Sequence, residues 1–436
     1  MLELGLSRGS KRLAKNPHRT YEIRCPVHGF IQIDDWERTI IEQPAFQRLR
    51  RIRQLAWTDM VYPGAIHTRF EHSLGVMHIA TCLYDAIASK SAELLKNELG
   101  YDAQGLARDR KLVRLAALLH DVGHAPFSHS SEDLLSAGKS GEKLSHEDYS
   151  AAIITSELRG AIEGHPLNEN TGFKADNVAA LIRGGAASGR AVFWRDLISG
   201  QMDADRMDYL IRDSHHIGVN YVRFDLHRLI SSVVAIPPDK DSDHARIGIE
   251  EGGLHAAEAL VLARYFMFTQ VYFHKTRVAY DVHLREAMRH ILAGGLFPGP
   301  TGGGLKQYLK WDDWRVVGLI GMGKAGEHGR RIIERNHYRM IYHTHEVCTE
   351  KDMQDLAEVK AKLGKLVVAE EPAAKSWYRT GSDDIPVLSK LRTPQVQPLS
   401  AYSKVLVGMM EKNNRVLLYV DRDSRDEAEK LIGRDN

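Results

Sequence analysis

Apolar residues recur at three- and four-residue intervals from Trp36 onward, through Ile40, Ile41, Phe46, Leu49, Ile52 and Leu55 with Pro44 as a break, which predicts a helix pair. A short strand-like piece, YEIRCPVHGFIQI, leads into it. Helical spacing then dominates to about residue 232, in EHSLGVMHIATCLYDAIASKSAELLKNEL, KLVRLAALLHDV, HEDYSAAIITSEL, NVAALI, FWRDLISG and DADRMDYLIRDSHH. VVAIPPDKDSDHARIGIEEGG carries two short β-like runs around a polar turn, predicting a small hairpin that interrupts the helical run without ending the domain. GLHAAEALVLARYFMFTQVYFHKTRVAYDVHLREAMRHILAG is patterned as one extended helix or two abutting ones, and LFPGPTGGGL as an exposed loop. From about Lys365 the texture changes: LVVAEEP, IPVLS, VQPLSAYSKVLVGMM and NRVLLYVD alternate or run apolar between turn residues, and SRDEAEKLI closes with a helix. The pattern predicts a mainly α chain. It has a basic flexible arm at 1–20, a helical domain with a small β-hairpin insertion at 21–299, and an α+β region at 300–436 for regulation or assembly.

Composition narrows the class. The 436 residues are 43% hydrophobic and 27% charged, which excludes a disordered protein. Lysine plus arginine is 59 against 57 acidic residues, so a net charge of +2 gives no general attraction to nucleic acid or membrane. Cys25, Cys82 and Cys348 are odd in number and widely spaced, indicating neither a disulfide framework nor a thiolate zinc site. The start lacks the apolar core of a secretory signal, and no stretch approaches the roughly 18 apolar residues of a membrane span. A soluble protein of a reducing, cytoplasmic compartment is expected. The 22 histidines prompt a search for metal ligands.

The chemistry concentrates in LVRLAALLHDVGHAPFSHS. Leu112, Val113, Leu115, Ala116, Ala117, Leu118 and Leu119 leave almost no polar face, so the helix is buried on most sides and delivers His120 and Asp121 into the interior. A buried carboxylate beside a buried imidazole costs several kcal/mol unless compensated, and a divalent cation does so directly. His124 follows at i+4 and would share the face if the helix persists. His72 begins another apolar-periodic helix. Asp205 begins a third, with Tyr209 and Asp213 in phase at i+4 and i+8. Two imidazoles and two carboxylates suit manganese, iron, magnesium or zinc, and leave positions for water or a phosphate oxygen. Taken singly, Asp205 also reads as a helix cap and His72 as a satisfied interfacial histidine.

The order His72, His120-Asp121, Asp205 resembles the metal signature of the HD phosphohydrolase superfamily. The flanking phrases FQRLRRIRQL, YPGAIHTRFEHSLGV, LLHDVGHAPFSH and MDYLIRDSHHIGV are similar to its deoxynucleoside triphosphate triphosphohydrolases, bacterial dGTPases and the animal HD-domain dNTPase among them. The likeness runs from about Cys25 to His274. It implies that the four residues hold the metal, and that Arg69, His124, Arg206, Arg264 and Lys275 face the triphosphate. Arg206 stands where relatives often have lysine. It further implies that His129 is the general acid, with His146 and Glu147 beside it. Gln54, Leu55, Tyr209, Asp213 and Tyr272 would grip the deoxyribose, with Tyr272 excluding a 2′-hydroxyl. The expected reaction is hydrolysis of a deoxynucleoside triphosphate to deoxynucleoside and inorganic triphosphate.

Departures from that family set further expectations. Tyr21, Arg24 and Cys25 stand where regulated relatives carry lysine, asparagine and aspartate, whereas Glu42, Gln47 and Arg50 resemble the rest of their activator site. An allosteric nucleotide is therefore left open, as is the base preferred. The 20 residues before Tyr21 leave no room for the extra N-terminal module of the animal enzyme. A homo-oligomer, dimer or tetramer, is implied by the resemblance alone. Rival readings are a phosphohydrolase of nucleoside mono- or diphosphates or of single-stranded nucleic acid, and a nucleotide-sensing module. Neutral charge argues against a polynucleotide and the basic arm for one.

Overall fold

The computed structural model describes residues 19–433 apart from 139, 185, 239–243, 376–377, 390–394 and 410–412. The basic arm thus lies outside the described residues, save its last two positions. The strand-like piece after it is a hairpin, Thr20–Cys25 against Gly29–Asp34, because Gly29 takes a left-handed φ of 75° and turns the chain back. Asp34 then caps the Asp35–Ile41 helix in a reciprocal box with Glu37. The second helix of the expected pair is short, Pro44–Gln47, and tightens into a 3₁₀ turn at Arg48–Arg51.

Three helices carry the centre of the molecule: Arg69–Lys90, Ala103–Leu119 and Ala204–Ile217. Leu112, Val113 and the run Leu115–Leu119 are all buried, as the absence of a polar face requires. The Arg69–Lys90 and Ala204–Ile217 helices approach closely because Gly75 has no side chain, and a Cβ there would stand 1.9 Å from Asp208 Oδ1. FWRDLISG is only partly α-helical: a 3₁₀ stretch runs through Arg195, and the α-helix is Asp196–Ser199.

The long patterned segment after Gly253 is two abutting helices, Leu254–Met267 and Lys275–Ile291, joined through a wide π turn at Phe268–Tyr272. LFPGPTGGGL is not simply an exposed loop. Phe297 is buried, its N–H donates to Leu134 O, and Gly303–Tyr308 is helical. Tyr308, Trp311, Val316 and Ile320 join the same buried cluster as the central helices, so this core runs through both sides of residue 300.

The expected hairpin is Val233–Ile236 against Arg246–Glu250. It continues into a four-stranded sheet, because Arg246–Glu250 pairs in parallel with Pro386–Ser389, which pairs antiparallel with Gln395–Pro398. VQPLSAYSKVLVGMM is strand only at its start; Leu399–Tyr402 and Lys404–Gly408 are helical. A three-stranded antiparallel sheet has Asn413–Val420 between Arg339–His343 and Val367–Lys375. One face buries Ile341, Leu418 and Val420 against Leu356, Leu363 and Ala428; the other sets Leu417 and Tyr419 on Val278 and Ala279. Among the described residues no helix is long and apolar enough to cross a membrane.

Candidate metal centre and active site

The Ala103–Leu119 helix stops where His120 caps it, and His120 Nδ1 donates to Ala117 O at 2.8 Å. That bond commits one ring nitrogen and leaves Nε2 with its lone pair facing inward. His72 is held the same way. Its Nδ1 sits 2.8 Å from Asp208 Oδ2, and its Nε2 faces Asp205 Oδ1 at 3.0 Å and Asp121 Oδ2 at 3.4 Å. His120 Nε2 lies 3.3 Å from Asp121 Oδ1 and 3.7 Å from Asp205 Oδ1. Both Nε2 atoms are buried without a hydrogen-bond partner.

These separations test whether a cation fits. Donors about 2.1 Å from one ion stand ~3.0 Å apart at right angles and ~3.4 Å apart at tetrahedral angles. The observed 3.0 to 3.7 Å spans that range. Burial alone would push the His72 imidazolium pKa down, but the Asp205 and Asp208 carboxylates, with Asp121 behind them, outweigh it and raise it to about 10. A buried acidic cluster that pulls so strongly for positive charge is one that a divalent ion relieves. His72, His120 and Asp205 form a donor group that fits such an ion, with Asp121 oxygens 3.4 and 3.3 Å from the two Nε2 atoms, and the ligands do not distinguish the metal.

Asp208 went unsingled in the sequence, and it organises this cluster from behind. Fully buried, it takes His72 Nδ1, His28 Nε2 at 2.6 Å, and Arg212 through Nε at 2.8 Å and Nη2 at 2.9 Å. Burial would raise its pKa; Arg212 and the two histidines hold it well below the usual carboxylate range. Its charge fixes the His72 tautomer that presents Nε2 to the cluster.

A cavity of about 1000 Å³ opens in front of these groups. Arg69 spans its floor, donating Nε to Ser128 Oγ at 2.6 Å and Nη1 to Asp121. His124 lies beyond the end of the helix yet stays in register, its Nε2 3.3 Å from Asp121 Oδ1 and its ring stacked on His146 at 3.8 Å. Burial and the nearby Arg69 and His146 hold its pKa well below the ordinary imidazole value. His129 Nδ1 and His146 Nδ1 both rest on Glu132, at 2.7 and 2.6 Å. Burial would raise the Glu132 pKa, but the two rings drive it far down, so it is a carboxylate between two imidazoles. Glu147 is half exposed and lies 3.5 Å from His146.

Arg206, Arg264, Gln54, Leu55, Tyr209, Asp213 and Tyr272 all line the cavity. Arg206 is anchored to Asp203 at 2.8 Å. Burial raises the Tyr209 hydroxyl pKa to about 12, so the group stays a neutral donor. Asp213 accepts from Tyr272 OH at 2.6 Å and pairs with His67 Nε2 at 2.7 Å. Lys275 is the exception. It is exposed and does not line the cavity, because the wide turn at Phe268–Tyr272 and the break after it put the next helix out of phase. Arg277 reaches the wall instead. The Nδ1 atoms of His343 and His345 turn to different partners, Thr344 O and Asp352 Oδ1.

Comparison with known proteins places this geometry. A model of the HD domain matches residues 69–212, the span that holds all four donors. Residues 69–212 are thus similar to the HD domain over the stretch that carries the cluster. A model of the HD associated region follows over residues 224–376, so Arg264 and Tyr272 reach the HD cavity from outside the HD domain. Uncharacterized protein YwfO of Bacillus subtilis is 37% identical over 266 residues, covering 60% of this chain and 54% of that protein. Uncharacterized protein MJ1154 of Methanocaldococcus jannaschii is 34% identical over 322 residues, covering 73% and 59%. The SAMHD1 homolog of Dictyostelium discoideum, a deoxynucleoside triphosphate triphosphohydrolase, is 31% identical over 264 residues, covering 60% and 47%. This chain therefore spans about half the length of the curated relatives it matches. Solved structures share the fold of this chain. A hypothetical protein from Aquifex aeolicus superposes with a TM-score of 0.77 at 28% identity over 95% of this chain and 100% of its own. A phosphohydrolase from Bacteroides thetaiotaomicron gives 0.70 at 25% identity over 93% and 100%.

Proposed function

We propose that this HD-domain chain hydrolyses deoxynucleoside triphosphates to deoxynucleoside and inorganic triphosphate, in the reducing setting its three free thiols suit. The observation that carries the reading is one cavity with three zones: His120, Asp121 and Asp205, with His72 buried behind them, a wall of arginines, and the Tyr272–Asp213 pair. The SAMHD1 relatives are named for this activity.

A divalent ion bound at the cluster would lower the pKa of water and withdraw charge from a phosphoryl oxygen. Everything else falls to the chain. Arg206 and Arg264 neutralise the phosphate tail, and Arg69, tied to Asp121, keeps a positive charge near the α-phosphate. Water attacks the α-phosphorus and the bond to the 5′-oxygen breaks. That oxygen is a poor leaving group and takes the Nε2 proton of His129 in its imidazolium form, which Glu132 favours against burial by accepting from Nδ1–H, and the ring is left neutral. Asp213, held by His67 and Tyr272, receives the deoxyribose, and the Tyr272 ring is the group assigned to exclude a 2′-hydroxyl. Assembly into dimers or tetramers belongs to the same proposal, and activation by a nucleotide stays open because Tyr21, Arg24 and Cys25 depart from the regulated pattern.

The test is product analysis. Purified protein with each dNTP, each rNTP, a nucleoside monophosphate and a short oligonucleotide, over several metals, is expected to release triphosphate from dNTPs only. Labelled orthophosphate as the first product would remove the α-phosphorus assignment. Faster turnover of the oligonucleotide would move the chain to the nuclease reading.

A further inference from the structure

The catalytic turn is built in a conformation that its own residues disfavour. Phe127 and Ser128 have φ of 59° and 58°, two successive side chains in the left-handed region where glycine is the usual occupant. Each such residue is strained and persists only where surrounding structure dictates it. His129 follows directly, and Ser128 Oγ both accepts from Arg69 Nε and donates to Arg53 O at 2.7 Å. An error in this turn therefore moves the Arg69 guanidinium on Asp121 and the His129 ring together.

The groups that hold the turn come from far along the chain. Asp313, buried at 2% exposure, accepts the Phe127 N–H through Oδ1 and the Arg53 N–H through Oδ2, both at 2.8 Å. Tyr308 OH donates to Gly123 O at 2.7 Å. Arg48 Nε donates to Trp311 O and Arg48 Nη2 to His124 O, each at 2.8 Å, bridging the same two segments. Burial pushes the Asp313 carboxyl up to about 7 against the pull of the two N–H groups, so the residue sits there at a cost. Packing alone would favour an apolar side chain. The helix that follows starts at Asp313 itself and is capped by its neighbour Asp312, so Asp313 is free to serve the turn.

We propose that the segment Tyr308–Asp313, outside the HD domain, is a brace that sets the strained Gly123–His129 turn, with Asp313 as its principal positioning residue. It touches neither substrate nor cluster and acts through Ser128, Arg69 and His129. The proposal rests on the catalytic reading of those residues, and its test carries one readout that does not.

In the full chain, Asp313→Asn keeps size but turns one acceptor into an N–H₂ that faces a backbone N–H. The expected result is a fall in kcat of tenfold or more with KM within about threefold. Metal content of the purified protein should be unchanged, and amide hydrogen exchange should be faster at 123–131 and unaltered in the Arg69–Lys90 helix. Wild-type exchange at 123–131 overturns the proposal whatever the activity, as does wild-type kcat in a variant whose turn exchanges faster. If Asp313→Asn loosens the whole chain, Tyr308→Phe, which removes one hydroxyl, is judged by the same two measures. A wild-type protein inert towards every nucleotide would sink the functional reading, and the exchange measurement would still decide the brace.

Discussion

At the scale of single residues, the site depends on which ring nitrogen faces the cluster. Asp208→Asn removes the charge that holds His72 Nδ1–H and leaves His28 and Arg212 without their anion. Metal affinity is expected to drop ~10- to 100-fold, the usual effect of losing such a partner, measured by calorimetry on metal-stripped protein. Asp205→Ala takes away a donor itself, so turnover should vanish while far-ultraviolet circular dichroism retains the helical signal. Full activity in Asp205→Ala would mean that the centre lies elsewhere. His120 and Asp121 were legible because a polar pair at the end of an apolar helix has few other uses. Asp208 and His28 were not, since they meet across 180 positions. Lys275 was misplaced for a related reason: its phase depends on a π turn that hydrophobic spacing does not encode.

At the scale of elements, Glu37 locks the capped Asp35–Ile41 helix to the Ala103–Leu119 helix. The fully buried carboxylate receives Arg114 through Nε at 2.6 Å and Nη2 at 2.7 Å, and Lys111 at 2.7 Å. Burial would raise its pKa from 4.5, but Lys111 and Arg114 bring it down to about 2. A folded-state pKa below the unfolded value gives stability that is present above pH 4.5 and lost as pH falls towards 2, worth about 3 kcal/mol. Glu37→Gln is expected to lower Tm at pH 7 and to flatten the acid limb between pH 4.5 and 2. Thermal melts of both proteins across that range check it, and parallel acid limbs would rule out this ion pair as the source. The helix itself was plain in the sequence, from its periodicity. Its clamp was not, because Arg114 sits in a run whose apolar residues dominate the pattern.

At the scale of the whole molecule, the helical body and the C-terminal strands share one sheet. Ile249 is opposite Val387 in the parallel pairing. Gly248 permits this: a Cβ there would stand 2.3 Å from Pro386 O. Gly248→Val must part the strands, and a loss of roughly 2 kcal/mol is expected from overpacking. Urea unfolding would measure it, and an unchanged midpoint would show the pairing to be dispensable. Both partner strands were legible as short apolar runs. Their pairing was not, since register between distant segments leaves no trace in local spacing.

That pairing also sets an order of events during synthesis. Arg246–Glu250 leaves the ribosome long before Pro386–Ser389 and waits with one edge bare. An open strand edge will accept any neighbouring strand, including the same edge of a second nascent chain. The interval before the late strand arrives is therefore when the chain is most exposed to mispairing, and chaperone demand should peak there.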